Sequence, residues 1–409
     1  MKERVVVTGI GVVSSVGIGV EEFYTSLRDG VNGAAPVTRF DRTGFDHSLV
    51  CEVKGFEPER FVRNQPIGEI GLSAQFAVAA ARMGLEDAGL DPQQLQGGDY
   101  PCVFGTTDGE SAPFEALTLQ THESGSFDPA LLCMVPAQQI ALAVAREFSL
   151  GGEALVIATA CAAGNYALGV GYDMVASGET PIAICGGSDS VCRKTFAGFY
   201  RLGNVAPLAC QPFDETRHGI LTAEGSAVLI LESYASAVER GARIYAELLG
   251  YGINCDATHM VAPDRDSIAA CMRIAHEHAG IRPDEVDFVC MHGTGTKAND
   301  VTESEAVRQV FGQHRPKVSS IKSSIGHGMG AASAFGAAAC CLAIERDFLP
   351  PTLHLNVQDA QCDVDVVANR SLAAHPNVVQ NDAFAFGGNN AITIFRRVEN
   401  NREGSANHA

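Results

Sequence analysis

Cys161, His292 and His327 each combine a reactive side chain with a position at which a fold could use it. Cys161 follows the apolar run Leu-Val-Ile-Ala, and a stretch of small residues comes after it, so the pattern predicts a strand that turns into a helix. A thiol at a helix N-terminus meets the positive end of the helix dipole and free backbone N–H groups, which favour the thiolate. Cys161 is thus predicted to be a nucleophile, and a buried core cysteine is an alternative of about equal weight among thirteen cysteines.

The two histidines lie where predicted strands end. His292 follows the apolar strand predicted at 287–291 and opens the run His-Gly-Thr-Gly-Thr, and open α/β sheets carry their ligand sites at the carboxyl ends of strands. His327 lies in Lys-Ser-Ser-Ile-Gly-His-Gly, between a predicted strand and a helix of small residues. Glycines flank both histidines and neither run is polar. Both therefore fit a functional site better than a solvated loop, which would suit His47, His218 or His314.

A glycine pair near the C-terminus is open to two interpretations. Gly387 and Gly388 lie in Phe-Ala-Phe-Gly-Gly-Asn-Asn-Ala, directly before a strand predicted at 392–395. The pair could free a backbone amide to bind an oxyanion. Gly-Gly-Asn-Asn is equally good chemistry for a hairpin turn, and on its own the pattern favours the turn.

The elements that must position these residues occur twice along the chain. Strands are predicted at 4–11, 100–107 and 154–158, with helices at 20–28 and 70–86, and the same order returns with a helix at 266–278 and strands at 286–291 and 318–321. This repetition predicts an internal duplication that divides the chain into residues 1–241 and 242–409. Alternating strands and helices predict a layered α/β fold with mostly parallel sheets. The polar tail from Glu399 is predicted to be loose.

Composition excludes several classes of function. The formal net charge of −19 argues against a general nucleic-acid or anionic-membrane binder, because both need a basic surface. Thirteen cysteines without a signal peptide or a C-x-x-C pair predict reduced cytoplasmic thiols rather than disulfides or a metal site. No apolar stretch reaches the length of a membrane span without interruption. We therefore expect a cytoplasmic protein with no metal, no nucleic acid and no membrane among its partners.

Taken together, the motifs resemble one family over residues 4–395. The matching runs are Thr-Ala-Cys-Ala-Ala-Gly at 159–164, His-Gly-Thr-Gly-Thr at 292–296, a lysine five residues before His327, and Phe-Ala-Phe-Gly-Gly-Asn at 384–389. In order and spacing they resemble the elongating β-ketoacyl-acyl-carrier-protein synthases of the II type. The resemblance implies a thiolase fold with five αβαβα layers, two duplicated halves and a dimer.

The resemblance also implies the catalytic roles. Cys161 would accept the acyl chain, while His292 and His327 would polarise the malonyl thioester carbonyl and assist loss of carbon dioxide. Lys322 would hold the histidine pair. The backbone amides of Cys161 and Phe386 would form an oxyanion hole.

Substrate binding and partners follow from the same resemblance. Thr294 and Thr296 would hydrogen-bond the phosphopantetheine arm of an acyl carrier protein, beside the Gly387–Gly388 turn. The enzyme would need no cofactor of its own, because the carrier protein supplies the phosphopantetheine. It would catalyse decarboxylative Claisen condensation with malonyl-acyl-carrier protein.

Departures from the family pattern favour a specialised pathway. Asp108 stands where the housekeeping fatty-acid enzyme has an apolar gate residue at the far end of the acyl pocket, and Gly336 stands where it has a glutamate. The segment at 59–68, expected to dock carrier protein, has only Arg60 and Arg63 as cations. These differences favour a polyketide or polyene synthase over fatty-acid elongation. They also leave open a homodimer or a heterodimer with a chain-length-factor-like subunit.

Asp108 itself has two interpretations. In the first, Asp108 marks a specialised acyl tunnel. Because an unpaired buried charge is costly, its carboxyl group would then be protonated, contact a polar group of the neighbouring subunit, or turn away from the tunnel. Alternatively it caps the helix that starts nearby, a position at which aspartate is favoured.

Other functional classes fit the sequence less well. A non-catalytic chain-length-factor-like subunit would lack the cysteine, and a thiolase pairs two catalytic cysteines with a histidine. A nicotinamide reductase is disfavoured because Gly9-Ile-Gly11 does not continue into a full G-x-G-x-x-G.

Overall fold

The apolar run that opens the chain forms a completely buried strand at the centre of a twelve-stranded sheet. The computed structural model describes residues 2–399, so the predicted loose tail beyond Glu399 lies outside the described residues. The strands are β1 (Val5–Ser14), β2 (Gly17–Ile18), β3 (Ala35–Pro36), β4 (Leu49–Val50), β5 (Cys102–Gly105), β6 (Ala154–Ile157), β7 (Ile182–Asp189), β8 (Gly225–Ser233), β9 (Ala246–Cys255), β10 (Phe288–Cys290), β11 (Lys317–Ser319), β12 (Phe348–Leu349), β13 (Asp365–Val366), β14 (Leu372–Ala373), β15 (Val378–Phe384) and β16 (Asn389–Arg396).

Helices separate most of these strands and cover the sheet. They are α1 (Val20–Asp29), α2 (Leu72–Asp87), α3 (Pro92–Leu95), α4 (Ser111–Ser124), α5 (Pro129–Met134), α6 (Gln139–Phe148), α7 (Ala163–Ala176), α8 (Arg193–Arg201), α9 (Tyr234–Glu239), α10 (Arg265–Ala279), α11 (Lys297–Phe311), α12 (Lys322–Ile325) and α13 (Ala332–Arg346). Within residues 2–399, none of the helices has the length and apolar character needed to cross a membrane.

The order of strands shows the duplication directly. One half runs β1-β8-β7-β5-β6 and the other runs β9-β16-β15-β10-β11, and the two join where β1 pairs with β9. In each half the first two pairings are antiparallel and the next two are parallel. The prediction of mostly parallel sheets was wrong, because β7 and β15 are each followed by an antiparallel strand. The division at residue 241 falls between α9 and β9 and stays a prediction.

Five layers result from this arrangement. Helices α2 and α6 cover the outer face of the first half, and α10 and α11 lie on the second half. Between the halves lie α7 and α13, which are made of small residues and pack almost backbone to backbone: a Cβ added to Gly164 would lie 2.8 Å from the backbone nitrogen of Ala334. Most residues of both helices are buried, which explains why neither has an amphipathic stripe.

A strained turn begins each central helix. Ala160 starts the short 3-10 turn before α7 with a φ of 49°, and Met329 starts the matching turn before α13 with a φ of 51°. Residues with a Cβ rarely adopt this left-handed conformation, which costs roughly 1–2 kcal/mol per residue. The two turns face each other across the duplication, so the residues beside them converge on one point.

Candidate active site

The thiol and two imidazoles that the sequence singled out meet at the two turns. The Sγ atom of Cys161 and one ring nitrogen each of His292 and His327 all lie within 4.8 Å of one another. The two imidazole centroids are 5.5 Å apart and their planes are nearly perpendicular, at 83°. All three side chains are buried. A thiol and two imidazoles are also donors that Zn²⁺ accepts, so this is the place where the described residues could hold a metal ion.

Burial dominates the chemistry of the thiol. Cys161 lies in the 3-10 turn Ala160–Ala162, directly before α7, as the sequence predicted. Burial raises its pKa to about 12, against the opposing effect of the nearby Lys322 ammonium. The expectation that the helix terminus would favour the thiolate is therefore not met in the free protein. The resting group is a thiol, and its proton must leave during the reaction.

The backbone fixes the tautomer of His327. The N–H of Met329 donates to His327 Nδ1 at 3.1 Å, so that nitrogen accepts and the neutral ring carries its proton on Nε2. Burial lowers the pKa of His327 well below its ordinary value, and the charge of Lys322 lowers it further. His327 is therefore a neutral imidazole that offers an N–H donor.

Two charged groups hold the backbone of His292. Lys322 Nζ donates to the His292 carbonyl oxygen at 2.6 Å, and Glu303 accepts the N–H groups of His292 and Gly293 at 2.6 and 2.8 Å. Burial, then Lys322 and His327, lower the pKa of His292 well below its ordinary value. Burial also lowers the pKa of Lys322. Lys322 thus contacts the histidine loop as the family resemblance implied, whereas Glu303 was not predicted.

A cavity of about 330 Å³ opens above the three side chains. Thr294 and Thr296 line it, and their hydroxyl oxygens lie 2.8 Å apart. Thr296 is also the N-cap residue of α11, where its hydroxyl accepts the N–H of Asn299. The two threonines are thus held in place at the cavity wall with hydroxyl groups available to a polar ligand.

The glycine pair forms a turn beside this cavity. Residues 385–388 connect β15 to β16, so the hairpin interpretation is correct, and the turn also contributes to the cavity wall through Phe386 and Gly388. Gly387 does not line the cavity; its N–H donates to the Met260 carbonyl at 2.7 Å. Both glycines have left-handed φ values, 86° and 80°. Within residues 2–399 the N–H of Phe386 has no acceptor, which leaves it available to an oxyanion.

Asp108 is held by its own subunit. Its Oδ1 accepts from Thr195 Oγ1 at 2.7 Å and lies 3.1 Å from Lys194 Nζ, while its buried Oδ2 has no partner among the described residues. The capping alternative is wrong, because Glu110 occupies the N-cap of α4 and the Asp108 side chain accepts no helix N–H. Asp108 does not line the cavity above Cys161, but its charge opposes ionisation of that thiol.

Gly336, which stands where the housekeeping enzyme has a glutamate, has no room for a side chain in this packing. A Cβ on Gly336 would lie 2.2 Å from Asn381 Oδ1. The Asn381 amide instead donates to Asn165 Oδ1 at 2.8 Å and to the Ser333 carbonyl at 2.9 Å, which ties β15 to both central helices. A neutral amide network therefore fills the space that a glutamate at this position would need.

Comparison with known families decides what kind of protein carries this site. The model of the β-ketoacyl synthase N-terminal domain matches residues 2–237, and that of the β-ketoacyl synthase C-terminal domain matches residues 245–356. The chain belongs to the β-ketoacyl synthase family. It is therefore a condensing enzyme of the acyltransferase type with the thiolase fold.

Relatives of the synthase come from fatty-acid and polyketide systems. A 3-oxoacyl-[acyl-carrier-protein] synthase 2 from Synechocystis is 34% identical over 97% of the synthase and 99% of the relative. The ishigamide ketosynthase/chain length factor structure has 49% identity and a TM-score of 0.96, and covers 97% of the synthase and 100% of that chain. A type II polyketide ketosynthase, solved with its acyl-carrier protein and bound to a hexaketide, has 31% identity and a TM-score of 0.88, with 98% and 100% covered.

Replacing Asp108 by isoleucine is expected to change acyl-chain preference with little change in stability. The substitution removes the hydrogen bond to Thr195, worth about 1 kcal/mol, but it also removes an unpartnered buried oxygen of similar cost. The measurement is the product profile by mass spectrometry together with a melting curve. Thr195→Val is the matched control, since it breaks the same hydrogen bond and keeps the carboxylate. An unchanged profile in Asp108→Ile, or the same shift in both variants, would contradict a tunnel role.

Proposed function

We propose that this chain is the acyl-accepting subunit of a β-ketoacyl-acyl-carrier-protein synthase of a type II polyketide or polyene pathway. It would condense a Cys161-bound acyl chain with malonyl-acyl-carrier protein. The observation that carries the proposal is the set of Cys161, His292 and His327 atoms within 4.8 Å of one another at the floor of a cavity. A non-catalytic chain-length-factor-like subunit has no use for a thiol at this position.

Acyl transfer to the enzyme comes first. The Cys161 sulfur attacks the thioester carbonyl of the acyl group on phosphopantetheine, a C–S bond forms, and the tetrahedral intermediate expels the pantetheine thiolate. The thiol proton ends on the departing pantetheine sulfur, so the step needs no net acid or base. Because the proton passes from one sulfur to the other, the step can start from the protonated thiol, whose pKa burial raises to about 12 in the free enzyme.

Decarboxylation and condensation follow at the same point. The malonyl thioester loses carbon dioxide, and the electron pair of the broken C–C bond forms an enolate whose oxygen would accept N–H groups from His292 and His327. The enolate carbon then attacks the Cys161 thioester, the new C–C bond forms, and Cys161 leaves as a thiolate that takes up one proton. Neutral imidazoles suit this task because they stabilise developing negative charge without giving up their protons.

The backbone amides of Cys161 and Phe386 would bind the oxyanion of the acyl-transfer steps. Cys161 lies in the first turn of a helix, where N–H groups have no helical partner, and the Phe386 N–H is likewise free within residues 2–399. Both residues line the cavity, one from each half of the chain. Thr294 and Thr296 would hydrogen-bond the pantetheine arm.

An unpartnered surface supports an obligate dimer. Strand β6 is the edge of the sheet and pairs only with β5 within the described residues, so its outer backbone groups are open to another strand. Separately from this edge, helices α4 and α5 and the segment between them carry large exposed apolar side chains. These are Phe114, Leu119, Phe127 and Leu132. We infer that this surface binds a second thiolase-fold chain.

A chain-length-factor-like subunit fits this surface better than a second copy. The 49% identical structure is a ketosynthase/chain length factor, and the expected docking segment of this chain has few cations with which to attract an acidic carrier protein. A partner subunit would supply that basic surface and the end of the acyl tunnel. The pathway would then be a specialised one.

Co-expression with the chain length factor of the ishigamide pair is expected to give a heterodimer that condenses acyl and malonyl groups from a panel of acyl carrier proteins. The chain alone is expected to give little product. Intact mass identifies acylated protein and product mass identifies the chain length. Efficient elongation of saturated chains by a homodimer would instead support the housekeeping fatty-acid role, and absence of any acyl adduct would support a silent subunit.

The interface has its own matched pair of variants. Leu119→Arg places a charge in the apolar surface on α4, whereas Ile274→Arg places one at a similarly exposed position on the outer helix α10. Size-exclusion chromatography is expected to show loss of the dimer in the first variant only, because a charge buried in an apolar interface must be desolvated. A dimer that survives Leu119→Arg would exclude this surface.

A further inference from the structure

Asp189 is a buried carboxylate that contacts both halves of the chain. It ends β7, and its side chain accepts four hydrogen bonds. Its Oδ1 accepts from Thr106 Oγ1 at 2.6 Å and from the Asp108 N–H at 2.9 Å. Its Oδ2 accepts the N–H groups of Thr107 at 2.9 Å and Gly330 at 2.6 Å. Burial raises the pKa of the Asp189 carboxyl to about 7, and the four donors on its two oxygens oppose that shift by stabilising the anion.

The Gly330 contact reaches the catalytic histidine. Gly330 lies in the turn Met329–Ala331, and the N–H of Met329 in the same turn fixes His327 through Nδ1. Met329 is held in the left-handed region, which is strained for a residue with a Cβ and persists only where surrounding contacts impose it. The hydrogen bond from Gly330 to Asp189 is such a contact. Without it the turn would lose a constraint on the conformation that aims His327.

The other three donors make the support rigid. They come from the loop at 106–108, whose backbone touches the same turn: a Cβ on Gly330 would lie 2.5 Å from Thr106 Cα. Asp189 thus joins β7, this loop and the histidine turn in one hydrogen-bonded unit. Asp189, Thr106 and Gly330 are buried and Thr107 and Asp108 are partly buried, so the N–H of Gly330 has no access to water as a replacement partner.

We propose that Asp189 is a positioning residue for His327, acting through the Met329–Ala331 turn. The proposal rests on the function proposed above, in which His327 donates a hydrogen bond to the forming enolate. Asp189 itself touches neither substrate nor reacting atoms. Its role is to keep Nδ1 of His327 accepting from Met329, and so to keep the Nε2–H directed at the enolate oxygen.

Asp189→Asn is expected to separate the two partial reactions. The amide offers one accepting oxygen and places an NH₂ group against N–H donors, so the turn must shift and malonyl decarboxylation should fall about tenfold, the scale of a hydrogen bond to a charged group. Self-acylation of Cys161 should hold or rise, because Asp189 is among the charges that raise the pKa of that thiol. The measurements are malonyl-acyl-carrier-protein decarboxylation and intact mass after incubation with acyl-acyl-carrier protein.

Two further variants complete the test. Glu110→Gln alters another buried carboxylate, which accepts the N–H groups of Ser73 and Ala74 at the start of α2 and none from the Met329–Ala331 turn. It is expected to lower the melting temperature and leave the ratio of the two rates unchanged. Thr106→Val removes one donor from Asp189, keeps the charge, and should lower decarboxylation by a few-fold, roughly one neutral hydrogen bond.

The outcomes distinguish this inference from the proposed function. Equal loss of both rates in Asp189→Asn, or an unchanged ratio, would overturn the positioning role. If Asp189→Asn does not fold, an unchanged ratio in Thr106→Val would do the same. A wild-type protein that neither takes up an acyl group nor decarboxylates malonyl-acyl-carrier protein would instead overturn the proposed function.

Discussion

Replacing Cys161 by alanine is expected to abolish the acyl-enzyme and condensation while leaving the fold intact. The thiol is the one nucleophile among the three side chains that meet at the cavity floor, and loss of a nucleophile costs several orders of magnitude in rate. Alanine is smaller than cysteine and Cys161 lines the cavity, so the substitution should be accommodated without repacking. Intact mass after incubation with acyl-acyl-carrier protein measures the adduct, and a melting curve checks the fold.

A second buried cysteine provides the control. Cys185 lies in β7, is completely buried, and does not line the cavity. Cys185→Ala is expected to lower stability by leaving a small void and to retain the acyl adduct. A covalent acyl group that persists in Cys161→Ala would remove the assignment, because another thiol among the thirteen would then be the acceptor.

The sequence singled out the three side chains of the candidate site because Cys161 and His292 follow apolar strands and glycines flank both histidines. The helices of small residues predicted after Cys161 and His327 correspond to α7 and α13. What the sequence could not predict is that the duplication would bring them together. Convergence depends on the close packing of α7 on α13, which only small residues such as Gly164 allow.

Two of the central strands that were not predicted are β7 and β15. β7 contains the glycines and polar residues Gly186, Gly187 and Asp189, and β15 contains Asn381 and Asp382, so neither reads as an apolar run. Both are central strands, and their polar residues are buried because they hydrogen-bond between layers. Tertiary context here outweighs intrinsic strand propensity.

The supporting residues were missed for a related reason. Glu303 acts on His292 from α11, and Asp189 acts on the turn of His327 from β7, so neither is adjacent in sequence to the side chain it holds. For Glu303, the available signal was an acidic residue eleven positions after His292, in the segment that forms α11. The thiolate expectation failed because desolvation of Cys161 depends on burial, which local sequence does not reveal.

Replacing His292 or His327 by alanine is expected to slow malonyl decarboxylation by at least about a hundredfold, the scale of one lost oxyanion donor. Self-acylation should suffer less, because its oxyanion would be held by the amides of Cys161 and Phe386. His327→Gln should restore part of the decarboxylation rate, since its amide can replace the Nε2–H donor. The pH dependence gives an independent measurement in the unmodified protein.

Both imidazoles must be neutral for this role, and the structure sets the sign of the pH effect. Burial lowers the pKa of His292 and His327 well below the ordinary value, so both stay neutral as the pH falls through about 6.5, where an exposed histidine would protonate. Decarboxylation is therefore expected to stay constant through that range and to fall only at lower pH. A loss of decarboxylation centred near the ordinary histidine pKa would contradict the lowered pKa of the two buried imidazoles. Equal loss of acylation and decarboxylation in both alanine variants would indicate that the histidines mainly hold structure.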